Sequence, residues 1–570
     1  MVQFGSGFHT SYASPMDRDY GSSLPADNST NDVGVSIKDL GFSTGLGPTP
    51  NINAVGAKMR SGVKTMELTF MGSGKGNQQG QTAGMFGLRQ RTALKEMQEA
   101  NDYHFTTHAS VGVMGLAGMD QQGNFSRQNQ KKALDEIKRA IEFAADVVQG
   151  GPVVVHTGEY MRNMVDSPWN EEGKWSGKFR MYKGEEERAA FRVVDQRSGQ
   201  IVSEARKNKK IGRPIWNMAN AGEEYTGLDG MKRVAEQDEI IYTDYEGNEL
   251  DISERVPEFD EGKQHFKTCL MDWEDFRKEA VDMTRRARKF WRENKDDPDK
   301  WEKSTWYKFR DAKEESEIEI RPEEAYIIGT LETNAAQARG LAFYYGGNFN
   351  KHVENLSKLK KAKEFYQKLW DTTDPEERWR LEQQVPEFGD LLPPETKNPM
   401  ERIDEMIVRE KQQIAYSKDA SASQWAQAEE TLETMRNVES SDTYAVREGI
   451  KAYAQAGIRA MMETEKLEKQ GVLKKPIAVA MENLFPESYG GHPDEFINLI
   501  ESSREEMTDQ LVQQGMKKDL AKKKAEDHIY GTFDTAHCNL WWKYWQGDPD
   551  KTIAENKQEF NKWMLEKVEK

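Results

Sequence analysis

Six apolar, β-prone runs, five of them followed by a helical stretch, constrain this chain more than any other feature. They lie at 40–43, 63–70 (VKTMELTF), 103–108 (YHFTTH), 152–156 (PVVVH), 476–482 (PIAVAME) and 529–534 (IYGTFD). Helices are expected near 50–61, 87–100, 127–148, 493–515 and 551–568, from apolar residues at helical spacing. Strands that alternate with helices pair in parallel, because a parallel neighbour needs a crossover long enough to hold a helix. The expected fold is therefore α/β, with a parallel sheet or a (β/α) barrel. The run PVVVH is almost wholly apolar, as expected of a strand covered on both faces.

The alternation stops after the fourth unit and resumes at the fifth. This predicts five segments: an irregular, Gly/Ser/Asp/Asn-rich arm at 1–36, a first α/β part at 37–164, a β-rich insertion at 165–270, a charged helical insertion at 271–474 and a second α/β part at 475–570. Ser198-Gly199 and Glu246-Gly247-Asn248 sit between β-prone flanks and predict two hairpins. The aromatic residues Trp273, Phe276, Phe290, Trp291, Trp301, Trp306 and Phe309 are read as helix-to-helix packing rather than a stacking platform for bases. Pro386, Pro393, Pro394 and Pro399 mark a break in the helical segment.

The chain has 570 residues, 36% hydrophobic and 31% charged, with a formal charge of −17. Duplex-binding surfaces are usually basic, so this balance weighs against extensive nucleic-acid contact. The two cysteines, Cys269 and Cys538, do not read as a disulfide framework, which points to a reducing compartment. No apolar run approaches a membrane span and the first residues lack a signal-peptide pattern. A soluble, cytoplasmic protein without membrane contact is expected.

Chemistry gathers at the strand ends. His108 closes YHFTTH, His156 closes PVVVH before Thr157-Gly158, Glu482 closes PIAVAME, and Asp534 closes IYGTFD with His537 three residues on. Catalytic groups of a (β/α) barrel occupy this end of the strands. Imidazole nitrogens with carboxylate oxygens suit zinc, manganese or iron. Singly, each residue has an ordinary reading: a hydrogen-bonded histidine, or an aspartate capping the next segment. Their joint occurrence favours a metal site. Other motifs are weaker. Gly72 to Gly76 lacks the Walker residues. Glu67 is either a buried structural carboxylate or a base. Cys538 is read as packing, Trp541, Trp542, Tyr544 and Trp545 as packing onto the insertion, and His9 as a surface residue.

The pieces HASVGVMGLAG (108–118), VVVHTGEY (153–160), VAMENLFPE (479–487) and FDTAHCNLW (533–541) resemble, in this order, the xylose-isomerase-like TIM barrels. They look closest to the endonuclease IV family of apurinic/apyrimidinic endonucleases. Asp534-Thr535-Ala536-His537 resembles that family's Asp-Thr-Cys-His, His156-Thr157-Gly158 its His-Pro-Gly, and Glu482-Asn483 its Glu-Asn. The resemblance implies a TIM-type barrel that lacks its last two strands here, with a large helical insertion. It implies a divalent-metal cofactor, with zinc favoured and manganese or magnesium as alternatives. His108 and His156 would hold one ion, Glu482 would bridge as ligand and catalytic carboxylate, and Asp534 with His537 would hold another. The implied activity is phosphodiester hydrolysis at abasic sites in DNA, as in DNA repair. Two alternatives stay open: a sugar or sugar-phosphate isomerase or epimerase, which shares the Glu and the Asp-x-x-His, and a non-catalytic barrel with an assembly role. Further family ligands, a His, an Asp-x-His pair and a final Glu, have no counterpart after His537, so a homo-oligomer or a second chain completing the barrel is a further expectation.

Overall fold

The computed structural model describes residues 40–44, 52–60, 64–72, 82–236, 240–251, 254–302, 304–381 and 399–569. The arm at 1–36 with His9, most of the Gly72 to Gly76 loop, and Pro386, Pro393 and Pro394 lie outside them.

The framing elements, in chain order, are β1 (Gly41–Ser43), α1 (Ile52–Met59), β2 (Thr65–Phe70), α2 (Leu88–Ala100), β3 (His104–Ser110), α3 (Arg127–Phe143), β4 (Gly150–His156), α4 (Trp273–Asn294), α5 (Pro322–Thr372), α6 (Pro399–Arg436), α7 (Ser441–Gln470), β5 (Lys475–Glu482), α8 (Pro493–Gln513), α9 (Lys518–His528), β6 (Ile529–Thr532), α10 (Thr535–Asn539) and α11 (Ile553–Val568). The six β strands form one parallel sheet in the order β1-β2-β3-β4-β5-β6. All six expected strands are present, and the protein is α/β. No closed barrel is found among the described residues. Sheet order follows chain order, although the β4–β5 connection runs through the whole insertion.

The chain divides into two compact units. The first comprises 1–113, 136–155 and 457–480. Its strands pair in parallel with registers Phe42↔Met66, Thr69↔His108 and His108↔Val154. Val153, Val154 and Val155 are buried, and so are Ile477 to Ala480, which matches the almost wholly apolar runs. α3 runs into a π-helical turn at Ala144–Val148, and Gln149 ends it in a left-handed conformation, φ 62°.

The second unit comprises 114–135, 156–456 and 481–570. Strands Ala190–Asp195 and Ile201–Arg206 form the expected antiparallel hairpin around Ser198-Gly199, and Val438–Ser440 adds a third strand. At the second expected hairpin only the bridge Thr243↔Glu249 forms, around a turn in which Asp244 accepts hydrogen bonds from Glu246 and Asn248. Trp273, Phe276, Trp301, Trp306 and Phe309 are buried in one apolar cluster with Tyr326 and Ile327 of α5, and Phe290 and Trp291 pack against it. The packing reading of these aromatics therefore holds. α5 and α6 run antiparallel: Lys363 pairs with Asp404, His352 Nδ1 lies 2.7 Å from Glu410, and Ser421 Oγ donates to the Ala342 carbonyl. No helix is long and apolar enough to cross a membrane among the described residues.

Candidate metal centre

Three strand ends of the second unit are tied together by side chains that bond to neighbouring backbone. The chain leaves β4 through Thr157 and Gly158. Gly158 takes φ +136°, a conformation L side chains rarely adopt. Thr157 donates both its backbone N–H and its hydroxyl to the Glu482 carbonyl, each at 2.9 Å. Asn483, fully buried, clamps the next exit. Its Oδ1 accepts from Asp534 N at 2.7 Å and its Nδ2 donates to Asp534 O at 2.9 Å. The Asn483 carbonyl lies 3.0 Å from His537 Nδ1.

These ties bring the candidate ligand residues together. His156 Nε2 lies 3.2 Å from Glu482 Oε2. Ligand atoms of Glu482, Asp534 and His537 all lie within 4.8 Å of one another. The His156 and His537 rings meet edge to face, centroids 6.4 Å apart. A carbonyl only accepts, so His537 donates to it from Nδ1. This backing of an imidazole by a carbonyl is the usual support for a metal-bound histidine. Mixed imidazole and carboxylate donors fit zinc or manganese.

β6 ends two residues earlier than expected. Asp534 does not close the strand but is the N-cap of α10: its Oδ1 accepts from Ala536 N at 2.6 Å and His537 N at 3.0 Å. A helical turn brings positions N-cap and N3 to one side. Asp534 Oδ2 thus comes within 3.3 Å of His537 Nδ1. The capping and ligand readings of Asp534 are compatible, because the cap bonds use Oδ1 alone.

His108 lies in the first unit. It is buried at the β3–β4 register, with Nδ1 2.7 Å from the Ala109 carbonyl. Glu67 is half-buried on β2, two residues from Thr69, whose hydroxyl points at it from 3.4 Å. Cys538 is buried and its thiol is pushed up to about 12, by burial first and the Asp534 charge second, which suits packing rather than nucleophilic attack. Trp541, Tyr544 and Trp545 are buried with Phe179 of the insertion and with Phe560 and Trp563 of α11, and Trp542 packs against this cluster. They are core, as expected.

Two features of the site take their roles only from the tertiary structure. One is the clamp by Asn483. We expect Asn483→Ala to weaken metal binding about 10- to 100-fold, the usual cost of losing a supporting group, read by competition with a chromophoric chelator. Unchanged affinity would dismiss the clamp. The other is Glu159, fully buried three residues after His156. It accepts from Leu116 N, Ala117 N and the Tyr453 hydroxyl, which also reaches the His156 carbonyl. Burial raises its carboxyl from 4.5 to about 7, against the lowering effect of these bonds. The native state therefore holds this proton more tightly than the unfolded chain. Stability from this group is full below pH 4.5 and is lost as pH rises to about 7, by about 3 kcal/mol in all. Glu159→Gln keeps the shape without the charge. Its melting temperature should gain on the parent between pH 5 and pH 8, and a parallel pair of pH profiles would refute this.

No protein-family model, curated protein or solved structure matches the chain.

Proposed function

We propose that His156, Glu482, Asp534 and His537 bind a divalent cation, with zinc favoured, and that the protein is a metal-dependent hydrolase of phosphodiester bonds. The observation that carries this reading is His156 Nε2 at 3.2 Å from Glu482, beside the Glu482, Asp534 and His537 group. Two upstream histidines, His108 and His156, with the Glu and Asp-x-x-His set are what sequence resemblance associates with the endonuclease IV branch, and His156 lies beside Glu482. We further propose that the sheet is an open relative of the TIM barrel, since its order follows the βα succession and the ligands occupy the C-terminal strand ends.

A bound divalent ion supplies Lewis acidity, acidifying water and offsetting charge on a phosphoryl oxygen. The chain's own residues do the rest. Asp534 and His537 hold their donors in one turn of helix, Asn483 fixes that turn against Glu482, and Glu482 is the carboxylate placed to accept a proton.

One observation favours a second reading, a sugar or sugar-phosphate isomerase. Tyr160 and Tyr489, on the loops that follow β4 and β5, stack at 5.2 Å and line a cavity of about 1910 Å³. Fifteen acidic and eleven cationic residues line that cavity, and the four candidate ligands are not among its lining; the balance suits a neutral sugar better than a polyanion.

The test uses the full chain loaded with zinc or manganese. Metal-dependent nicking of an abasic-site duplex, lost on chelation, supports hydrolysis. Turnover of aldoses or ketoses without DNA cleavage supports the isomerase. Metal-free protein after equilibration with either ion overturns both.

A further inference from the structure

The cavity of about 1910 Å³ holds a buried carboxylate that the chain itself leaves without a partner. Glu323, in the first turn of α5, lines it and is 4% exposed. Its side chain makes no hydrogen bond or ion pair to another residue among the described residues; it accepts from its own backbone N–H. An acid in the first turn stabilises its helix, but it does so equally well from the surface. Burying a carboxylate unpaired is costly, so the helix end does not account for Glu323.

Other buried acids of the same wall have partners within the chain. Glu324 accepts from Lys308 Nζ at 2.8 Å and from Ser440 N at 2.7 Å. Glu495 pairs with Arg162 and accepts from Trp169 Nε1 at 2.7 Å. Glu439 pairs with Arg447. The cation beside Glu323 is Arg321, and it is shared. Its Nη1 lies 4.0 Å from Asp442 Oδ2, and Glu319 also draws on it. Burial raises the Glu323 carboxyl from 4.5 to about 7, against the lowering effect of Arg321, and burial raises Asp442 as well. One guanidinium does not offset the carboxylates around it.

The surroundings suit an ammonium group. The Tyr160 hydroxyl faces Asp442, and the Tyr160 ring stacks on Tyr489 at 5.2 Å. Both rings line the cavity, and aromatic faces attract cations. A metal ion fits less well, because Glu323 and Asp442 belong to no group of three ligand atoms close enough to hold one among the described residues. The volume exceeds the roughly 300–1,000 Å³ of ordinary ligand pockets, so the site admits a ligand with a body as well as a charge.

We propose that the cavity binds a small organic cation, with a protonated primary amine seated against Glu323 and Asp442 and beside the Tyr160–Tyr489 pair. Amino sugars and aliphatic polyamines share this group. An amino sugar would join the site to the second functional reading, and a polyamine would stand apart from it. The site is separate from the metal centre, because none of His156, Glu482, Asp534 and His537 lines the cavity.

Isothermal titration of the full chain with glucosamine, N-acetylglucosamine, spermidine and triacetylspermidine tests this. Acetylation keeps the body of each ligand and removes its charge. Glucosamine or spermidine should bind at least about tenfold more tightly than its acetylated counterpart, as expected for a hydrogen bond between charged groups; which of the two does so identifies the source. Glu323→Gln and Asp442→Asn should each remove most of that preference and leave the neutral counterpart's affinity unchanged. Circular-dichroism melting shows that the variants fold. Chelation and Asp534→Asn should not change amine binding, so failure of the metal reading and failure of this one are told apart. Equal affinity for amine and acetylated counterpart overturns the proposal in favour of a neutral-sugar site. No binding of either amine at about 10 mM, or a preference that survives both substitutions, overturns it outright.

Discussion

Asp534→Asn is expected to abolish metal binding under conditions that saturate the parent chain, and with it any metal-dependent activity. Asparagine is as good an N-cap as aspartate, so the bonds to Ala536 and His537 survive. What is lost is the negative charge and one anionic donor from a group of three ligand atoms within 4.8 Å. A ligand carboxylate contributes more than a supporting group, so affinity should fall by more than about 100-fold. Inductively coupled plasma analysis after gel filtration reads the ion, and thermal melting shows that the fold is kept. Asp534→Ala should lose the cap as well and cost a further ~1 kcal/mol of stability. A stoichiometric ion retained by Asp534→Asn would remove Asp534 from the ligand set.

The largest effect on stability is expected at Glu332 of α5. Arg213 and Arg255 are buried, with side chains 1% and 2% exposed. Glu332 of α5 accepts from both: from Arg213 Nη2 at 2.8 Å and from Arg255 Nη2 at 2.6 Å, with Arg255 Nε at 3.1 Å. Glu279 of α4 serves Arg213 from 2.5 Å. Although burial opposes its charge, Arg255 is held above its usual range by Glu332. Glu332→Ala strands two buried guanidiniums with one acidic partner between them, and removing one member of a buried ion pair costs about 3–5 kcal/mol. Glu332→Gln should cost less, because the amide oxygen still accepts. Chemical denaturation of the two variants checks the order; a loss below about 1 kcal/mol for Glu332→Ala would show that water solvates the two arginines. Gly329 belongs to the same arrangement. A Cβ there would stand 2.7 Å from Arg213 Cζ, so α5 needs a bare position for the guanidinium to lie against.

The readings that were legible share a local cause. A strand covered on both faces must be apolar throughout, so PVVVH and PIAVAME declared themselves. The turn Ser198-Gly199 needs a residue that tolerates positive φ, and Gly199 takes φ +75°. The Asp-x-x-His spacing was visible, but its structural basis was read differently. It was expected as a strand end curling into a loop. It is a helix cap, and β6 stops early because Asp534 turns its Oδ1 to the backbone of α10 rather than continuing the ladder. Asn483 looked like the residue after a ligand, and only its two bonds to Asp534 give it a role. Tyr453 and Glu332 were submerged in a long charged helical stretch, where nothing in periodicity separates a buried carboxylate from a solvated one.

By itself the sequence determined the succession of strands and helices, and which chemically capable side chains stand at the strand ends. Both follow from burial and hydrogen bonding over a few residues, which impose their period on the chain. Only the tertiary structure decided that His156, Glu482, Asp534 and His537 meet, and that the described sheet stays open. Those outcomes depend on the register and order of strands hundreds of residues apart, set by pairing and packing across the whole unit.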